Sequence, residues 1–369
     1  MSSTTIPIDD TYYKSLLLQM ETADAKFTPT KFWKVALEKI SDELLNGGVE
    51  KFRCNKNVNS FFEPLFQLEG LSYYGKETVD SVGKIINGGD GDSTVYLHTI
   101  PGHTTKGPAL MKQLVSGYHL ALSQYCAFKA GDIQSKRPHL QYASDSGIGG
   151  AINQHQFDGK SYSRTMLNYM TGFVFLKQTI KDTTIIQNVL EIGGGFGSVG
   201  EILLSDAEVN YNYVNVDIPP TLYAASWYLE KLYGEKYLNC LAFTPGNPIS
   251  FDKMDGNACV APTWQLPDVT GRVDLFINYH SFQEMEPDVV VGYIEHIQRL
   301  KAKYVLTRNI REGKNPKRVV KPIRSEDYDQ FFVEHDYVFV ASNVIPYGFK
   351  TCDGFHSELR LYRHKSVPE

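Results

Sequence analysis

Apolar residues in KFWKVALEKISDELLNGG recur at spacings of three and four, with Trp33, Ala36, Leu37, Ile40 and Leu44 on one face. This spacing predicts an amphipathic helix, and Gly47 and Gly48 supply its stop. GPALMKQLVSGYHLALSQYCAF, from Gly107, predicts a second helix. Between them GGDGDST (88–94) reads as an exposed loop. Residues 1–141 therefore form a mainly helical region, suited to acceptor recognition or a dimer interface. The next segment, YASDSGIGGAINQHQFDGKSYS (142–163), is polar, glycine-bearing and turn-rich. It is expected to bridge the two parts and, with the helices before it, to close over an acceptor. A helix over 164–181 follows.

From there short apolar runs alternate with helical periodicity, which predicts a mostly parallel sheet with helices on both faces. Strands are expected at 185–192, 211–217, 259–264, 274–278 and 304–307, and helices at 198–205, 221–233 and 287–301. Pro287 is a favoured first-turn residue. Residues 238–257 fit no element and read as an insertion. The carboxyl end breaks the alternation: YVFV (337–340) and ELRLY (358–362) are strands with no helix-length gap between them. Two such strands should be antiparallel neighbours. An α/β fold of this kind, a Rossmann-like parallel sheet finished by an antiparallel carboxyl-terminal strand, is the layout of class I methyltransferases. Residues 142–369 are expected to form it.

The chemistry concentrates at VLEIGGGFG (189–197), a buried strand running into a glycine turn. Gly193, Gly195 and Gly197 alternate behind the strand and let the backbone bend and approach a ligand closely. Amides at the following helix start would face an anion. Glu191, inside the strand end, points instead to a cationic or hydroxyl-rich group. Asp217 lies 26 positions on, at the end of YVNVD, with Ile218 next to it. An acid there can accept hydrogen bonds from both ribose hydroxyls of an adenosine ligand. A ligand with an amino group, a carboxylate and an adenosine is S-adenosyl-L-methionine, the expected cofactor. Trp264 and Gln265, after the third strand, would cover the face and edge of the adenine ring.

DLFINYHSFQEM (274–285) ends a strand at Asn278 and then places polar side chains where the cleft should be. Methyl transfer from a sulfonium to a hydroxyl needs the hydroxyl proton removed, and a histidine is the usual base. His280 is the first candidate, with Glu284 to orient it or serve in its place, and Asn278 beside both. His103, His139, His155 and His356 lie in polar or glycine-containing loops and compete for the role. RNIREGKNPKRVVKPIR (308–324) carries seven basic residues against Glu312. It reads as a solvated loop, or as a contact for phosphates of a nucleotide-linked sugar or an anionic glycan.

Composition narrows the classes. Lys and Arg number 37 against 42 Asp and Glu, a net charge of −5, which argues against a dedicated nucleic-acid binder. No apolar stretch approaches the ~18 residues of a membrane span, and the amino terminus lacks a signal-peptide pattern. Five scattered cysteines, none in a CxxC pair, fit reduced thiols in a cytoplasmic protein rather than a disulfide scaffold or zinc site. No dense His/Asp/Glu set specifies a metal. Twenty-three tyrosines suit a sugar-binding cleft, although ordinary cores account for most of them.

YASDSGIGG, DGKSYS, VLEIGGGFG, VDIPP and DLFINYHSFQEM, in this order, resemble a family of sugar O-methyltransferases from polysaccharide and antibiotic gene clusters. The resemblance covers roughly residues 140–365. It implies the class I fold, S-adenosylmethionine as donor and a sugar hydroxyl or glycosylated small molecule as acceptor. It puts cofactor contacts on Glu191, Gly193, Gly195 and Asp217. Two other readings stay open. Gly195, Gly197 and Gly200 also satisfy GxGxxG, so a nicotinamide-dependent oxidoreductase acting on a sugar nucleotide is possible, though Glu191 would repel a pyrophosphate. A non-catalytic subunit keeping the same fold is the other.

Overall fold

The computed structural model describes residues 7–55, 57–63, 96–100, 103–106, 117–244, 246–314, 319–350 and 355–368. Three helices open the chain: α1 (Asp10–Glu21), α2 (Lys31–Gly47) and the single turn α3 (Asn59–Phe62). Asp9 starts α1 by accepting from the amides of Thr11 and Tyr12, which the helix leaves unpaired. Strands β1 (Tyr96–Ile100) and β2 (His103–Lys106) pair as an antiparallel hairpin, an element the helical reading of this region omits. The loop expected at 88–94 lies outside the described residues, as does the first part of the helix expected from Gly107. The described part of that helix is α4 (Tyr118–Gly131). The 142–163 segment is more than a bridge: it contains a second hairpin, β3 (Gln154–Phe157) with β4 (Lys160–Ser163).

Helix α5 (Arg164–Thr179) is buried on every side from Arg164 to Lys177. It packs against α4, against α6 (Ser198–Leu204) and against the sheet, so no face of it needs a polar stripe.

The main sheet comprises β5 (Asn188–Ile192), β6 (Asn212–Asp217), β7 (Tyr237–Asn239), β8 (Ala258–Pro262), β9 (Leu275–Tyr279), β10 (Tyr304–Ile310), β11 (Tyr337–Asn343), β12 (Phe349–Lys350) and β13 (His356–His364). Their order is β11-β13-β10-β9-β5-β6-β8-β7, with β12 pairing β13. The strands from β10 to β7 are parallel, and β13 runs antiparallel between β10 and β11. This is the class I methyltransferase sheet, with the expected antiparallel last strand, extended at one edge by β7. The segment that fitted no element supplies that extra strand and three-residue 3-10 turns.

Three helices complete the fold: α7 (Pro219–Tyr233), α8 (Pro287–Arg299) and α9 (Ser325–Glu334). α9 is absent from the sequence reading. It is ten residues long, and its signal is Asp327 accepting from the Arg324 amide at 2.8 Å, with Tyr328 and Phe332 one turn apart in the core. β10 also runs three residues further than expected, so Arg308 and Asn309 belong to a buried strand rather than to a solvated basic loop.

One apolar core runs through both regions of the chain. Tyr13 of α1 stacks on Tyr223 of α7 at 4.8 Å, and the Tyr12 hydroxyl meets Ser226 at 3.0 Å. Tyr12, Tyr13, Tyr211, Tyr213, Tyr223 and Tyr228 are all fully buried, so core packing claims these tyrosines. The four cysteines among the described residues are free thiols. No described helix is long and apolar enough to cross a membrane.

Candidate functional site

β5 and β6 lie side by side at the centre of the sheet, with Glu191 opposite Asn215. The strands' carboxyl ends form the crevice where open α/β sheets hold ligands. Directly after β5 the chain takes positive φ at Gly193 (69°), Gly195 (57°) and Gly197 (95°), a backbone region closed to most side chains. A Cβ on Gly193 would overlap the Ser281 hydroxyl, and one on Gly194 would lie 2.5 Å from Glu191 Oε2. A Cβ on Gly195 would meet nothing within 4 Å, so the turn is open at that point.

The turn is held from below by side chains of the next strand. Gly193 donates its amide to the Val216 carbonyl at 2.8 Å, Gly194 to Asn215 Oδ1 at 3.0 Å and Gly195 to Asp217 Oδ2 at 3.1 Å. Asp217 Oδ1 also accepts from the Ile218 amide at 2.7 Å and from the Thr221 hydroxyl. A carboxylate has about four acceptor positions, so these three donors leave room for one more. Burial pushes the Asp217 carboxyl up to about 7, against the pull of those donors.

Glu191 is fully buried. Its Oε2 accepts from the Tyr213 hydroxyl at 2.5 Å, while Oε1 has no partner. Burial raises its carboxyl to about 8, against the Tyr213 hydrogen bond. An unpaired buried carboxylate oxygen is costly, and a ligand donor would remove the cost. Asn215 and Tyr213, which steady the turn and the acid, escaped the sequence reading; their alternation on β6 with Asp217 was the available signal.

The polar residues after β9 divide into two groups. Asn278 is fully buried and satisfied: Nδ2 donates to the Ile192 carbonyl at 2.9 Å and to Ser281 Oγ at 2.6 Å, and Oδ1 accepts from the Phe282 amide. It pins the chain after β9 to the end of β5. His280 follows with φ of 67°, unusual for a residue with a side chain. Its Nε2 lies 3.1 Å from Asn168 Nδ2 of α5, and its backbone amide donates to the Arg308 carbonyl at 2.7 Å. The residue as a whole keeps partial exposure. Burial, with Arg308 and Lys314 acting in the same direction, pushes its imidazole down to about 3. Arg308, fully buried, reaches Asn168 Oδ1, Thr171 Oγ1 and the Tyr347 carbonyl. Asn168 carries no local pattern as a lone Asn inside a helix, and the sequence reading assigns Arg308 to the basic loop rather than to the crevice.

Glu284 is engaged on both oxygens. Lys314 pairs with Oε1, and the Trp33 indole of α2 donates to Oε2 at 3.1 Å. Thr30 donates to its backbone carbonyl at 3.1 Å. Glu284 thus ties the amino-terminal helices to the crevice. Trp264 is partly buried against the core, and Gln265 Nε2 donates to the Cys240 carbonyl at 3.4 Å. The other histidines are placed elsewhere. His139 pairs with Asp206 at 3.1 Å, His356 with Glu312 at 2.6 Å, and His155 packs against the Tyr118 ring. His103 lies in the β1–β2 hairpin. Among the described residues no group of three or more His, Cys, Asp or Glu could hold a metal ion.

The glycine turn is also clamped from the amino-terminal side. Phe196, within the turn, lies 5.3 Å from Phe52, 5.1 Å from Tyr228 and 4.9 Å beneath the Arg53 guanidinium. Arg53 forms a two-point pair with Asp145 at 2.7 and 2.8 Å and bonds Glu63 at 2.6 Å. Gly149 takes φ of 84° under the Phe52 ring. Glu201 of α6 accepts from the Ser146 amide at 2.8 Å and the Tyr228 hydroxyl at 2.7 Å. Burial, helped by Asp145, raises Glu201 to about 8. An acid near 4.5 when unfolded and near 8 when folded binds an extra proton only in the native state between those values. Stability therefore falls as pH rises through that window, with a slope on the order of 1 kcal/mol per pH unit. Glu201→Gln should lower the pH slope of urea-denaturation stability between pH 5 and 8 by about 1 kcal/mol per pH unit, leaving the contributions of Glu191 and Asp217; an unchanged slope would show that Glu201 is ionised throughout.

No family model and no curated protein matches the chain. Among solved structures it is similar to the magnesium protoporphyrin IX methyltransferase of Synechocystis PCC 6803 with bound SAH. There the identity is 12%, the TM-score 0.38, and the match covers 54% of this chain and 84% of that one. It is also similar to the geranyl diphosphate C-methyltransferase of Streptomyces coelicolor A3(2), at 10% identity and TM-score 0.35, over 52% and 75% of the two chains. A third is the ribosomal protein L11 methylase of Lactobacillus delbrueckii subsp. bulgaricus, at 11% identity and TM-score 0.32, over 53% and 79%.

Proposed function

We propose that this chain is an S-adenosylmethionine-dependent methyltransferase acting on a hydroxyl of a sugar or glycosylated small molecule. The observation that carries the reading is the pair of buried acids at the ends of adjacent strands, flanking an open glycine turn. Glu191 Oε1 is buried without a partner and matches an ammonium group. Asp217 keeps one acceptor position beyond its three protein donors and matches a ribose hydroxyl. A pyrophosphate at this turn would face Glu191 and gain nothing from it. The antiparallel β13, inserted between β10 and β11, supports the same choice. The sugar acceptor rests on the sequence resemblance, and a homodimer through the amino-terminal region is part of the same proposal.

When bound, S-adenosylmethionine would supply an electrophilic methyl group to the acceptor's hydroxyl oxygen, with S-adenosylhomocysteine as the leaving group and the hydroxyl proton passing to water. The chain's part is to hold and orient. Glu191 takes the amino group, the turn at Gly193, Gly195 and Gly197 leaves room for the amino-acid tail, and Asp217 takes the ribose. Trp264 and Gln265, which follow β8, would cover the adenine ring.

Isothermal titration with S-adenosylhomocysteine and, separately, NAD tests the reading. Binding of S-adenosylhomocysteine alone is expected; binding of NAD alone would replace the proposal with the oxidoreductase. The titration also has an expected pH dependence. Glu191 near 8 and Asp217 near 7 are substantially protonated in the free protein at neutral pH, and the ligand's donors favour the ionised forms. Binding therefore releases protons, and affinity rises from pH 6 to pH 8. Binding enthalpies that do not depend on buffer ionisation heat would remove the acids from the contact.

A further inference from the structure

The crevice contains a chain of side chains whose donors and acceptors leave no choice of direction. Arg308 carries only donors. It bonds Asn168, so the Asn168 atom facing it is the carbonyl oxygen, Oδ1. The Asn168 amide nitrogen then faces His280 Nε2 at 3.1 Å. An amide nitrogen only donates, so Nε2 must be the unprotonated, accepting nitrogen of the ring. The ring proton of neutral His280 therefore sits on Nδ1, and the residue keeps partial exposure. Arg308 is itself fixed by Thr171 and by the Tyr347 carbonyl, with its guanidinium 5.5 Å from the Tyr279 ring.

We infer that Arg308 and Asn168 are positioning residues that lock His280 as a hydrogen-bond donor, which presents Nδ1–H to an oxygen of the acceptor and does not take the acceptor's proton. This rests on the methyltransferase reading and revises the expectation that His280 is the base. To act as base through Nδ1 the ring would need its proton on Nε2, directed at the Asn168 amino group, where two donors would meet. The charged groups acting on the ring, Arg308 from β10 and Lys314 from the segment after it, oppose a second proton. His280 takes its left-handed backbone, φ 67°, at the point where its ring meets Asn168 of α5. Without a titrating imidazole the acceptor's hydroxyl proton passes to water rather than to the ring.

Histidine-selective 15N NMR of the full chain, with His280 assigned by His280→Gln, reads the tautomer directly. The expected wild-type signal has one proton, on Nδ1, unchanged from pH 5 to pH 8. In Asn168→Asp a carboxylate faces Nε2, and the ring should move its proton there or titrate within that range. A wild-type His280 that titrates near pH 6.5, or that carries its proton on Nε2, overturns the inference. So does methylation of an alkyl glycoside with a rate inflection near pH 6.5 that His280→Gln abolishes. Titration with S-adenosylhomocysteine on the same sample separates the two readings. A locked tautomer with no cofactor binding removes the methyltransferase reading and with it the acceptor role. Cofactor binding with a titrating His280 removes the lock alone.

Discussion

Arg53→Ala should cost about 3–5 kcal/mol of folding stability, the range for removing one partner of a buried ion pair. Arg53 is fully buried and is, among the described residues, the cation that bonds both carboxylates directly: Asp145 at two points and Glu63 at one. Its removal leaves two buried acids without a counter-charge beside Glu201. Urea denaturation at pH 7 should show the loss, and it should shrink at lower pH as the stranded carboxyls take up protons. Because Arg53 also lies over Phe196 in the glycine turn, affinity for S-adenosylhomocysteine should fall along with stability. A variant within 1 kcal/mol of wild type would mean that Asp145 and Glu63 find other donors and that the amino-terminal segment does not brace the turn.

Asp217→Ala should weaken S-adenosylhomocysteine binding by ~10- to 150-fold, the equivalent of a hydrogen bond to a charged group of about 1.5–3 kcal/mol. The same change strands the Gly195 amide, the Ile218 amide and the Thr221 hydroxyl, so some loss of stability accompanies it. Asp217→Asn separates the effects, since its one oxygen still accepts and the side-chain volume is kept. Calorimetry should place it between wild type and alanine, with a melting temperature near wild type. Unchanged affinity in Asp217→Ala would remove this acid from the site and with it half of the argument for an adenosine ligand.

The central sheet was legible because each of its strands is apolar, short and separated from the next by a helix-length or turn-rich segment. β5, β6, β8 and β9 were all anticipated within three residues of their ends. The antiparallel end of the sheet was legible for a topological reason: two strands without a crossover helix between them can only return alongside each other. α9 was missed because a ten-residue helix offers few periods, and its polar first turn merges with the basic segment before it. The β3–β4 hairpin was missed because its strands are four residues each and mostly polar.

For the site, the local sequence determined where the backbone must bend and which acids stand at the strand ends. Glycines with positive φ and a carboxylate at a strand terminus are properties of consecutive residues, so Gly193, Gly195, Glu191 and Asp217 could be named from the chain alone. Their neighbours could not. Arg53 meets Asp145 across 92 positions, Asn168 meets His280 across 112, and Trp33 meets Glu284 across 251. Those encounters set how Asp145 is neutralised, which nitrogen of His280 is protonated, and whether Glu284 is available. Charge state and tautomer depend on burial and on donors brought from distant segments, and only the packed tertiary structure decides them.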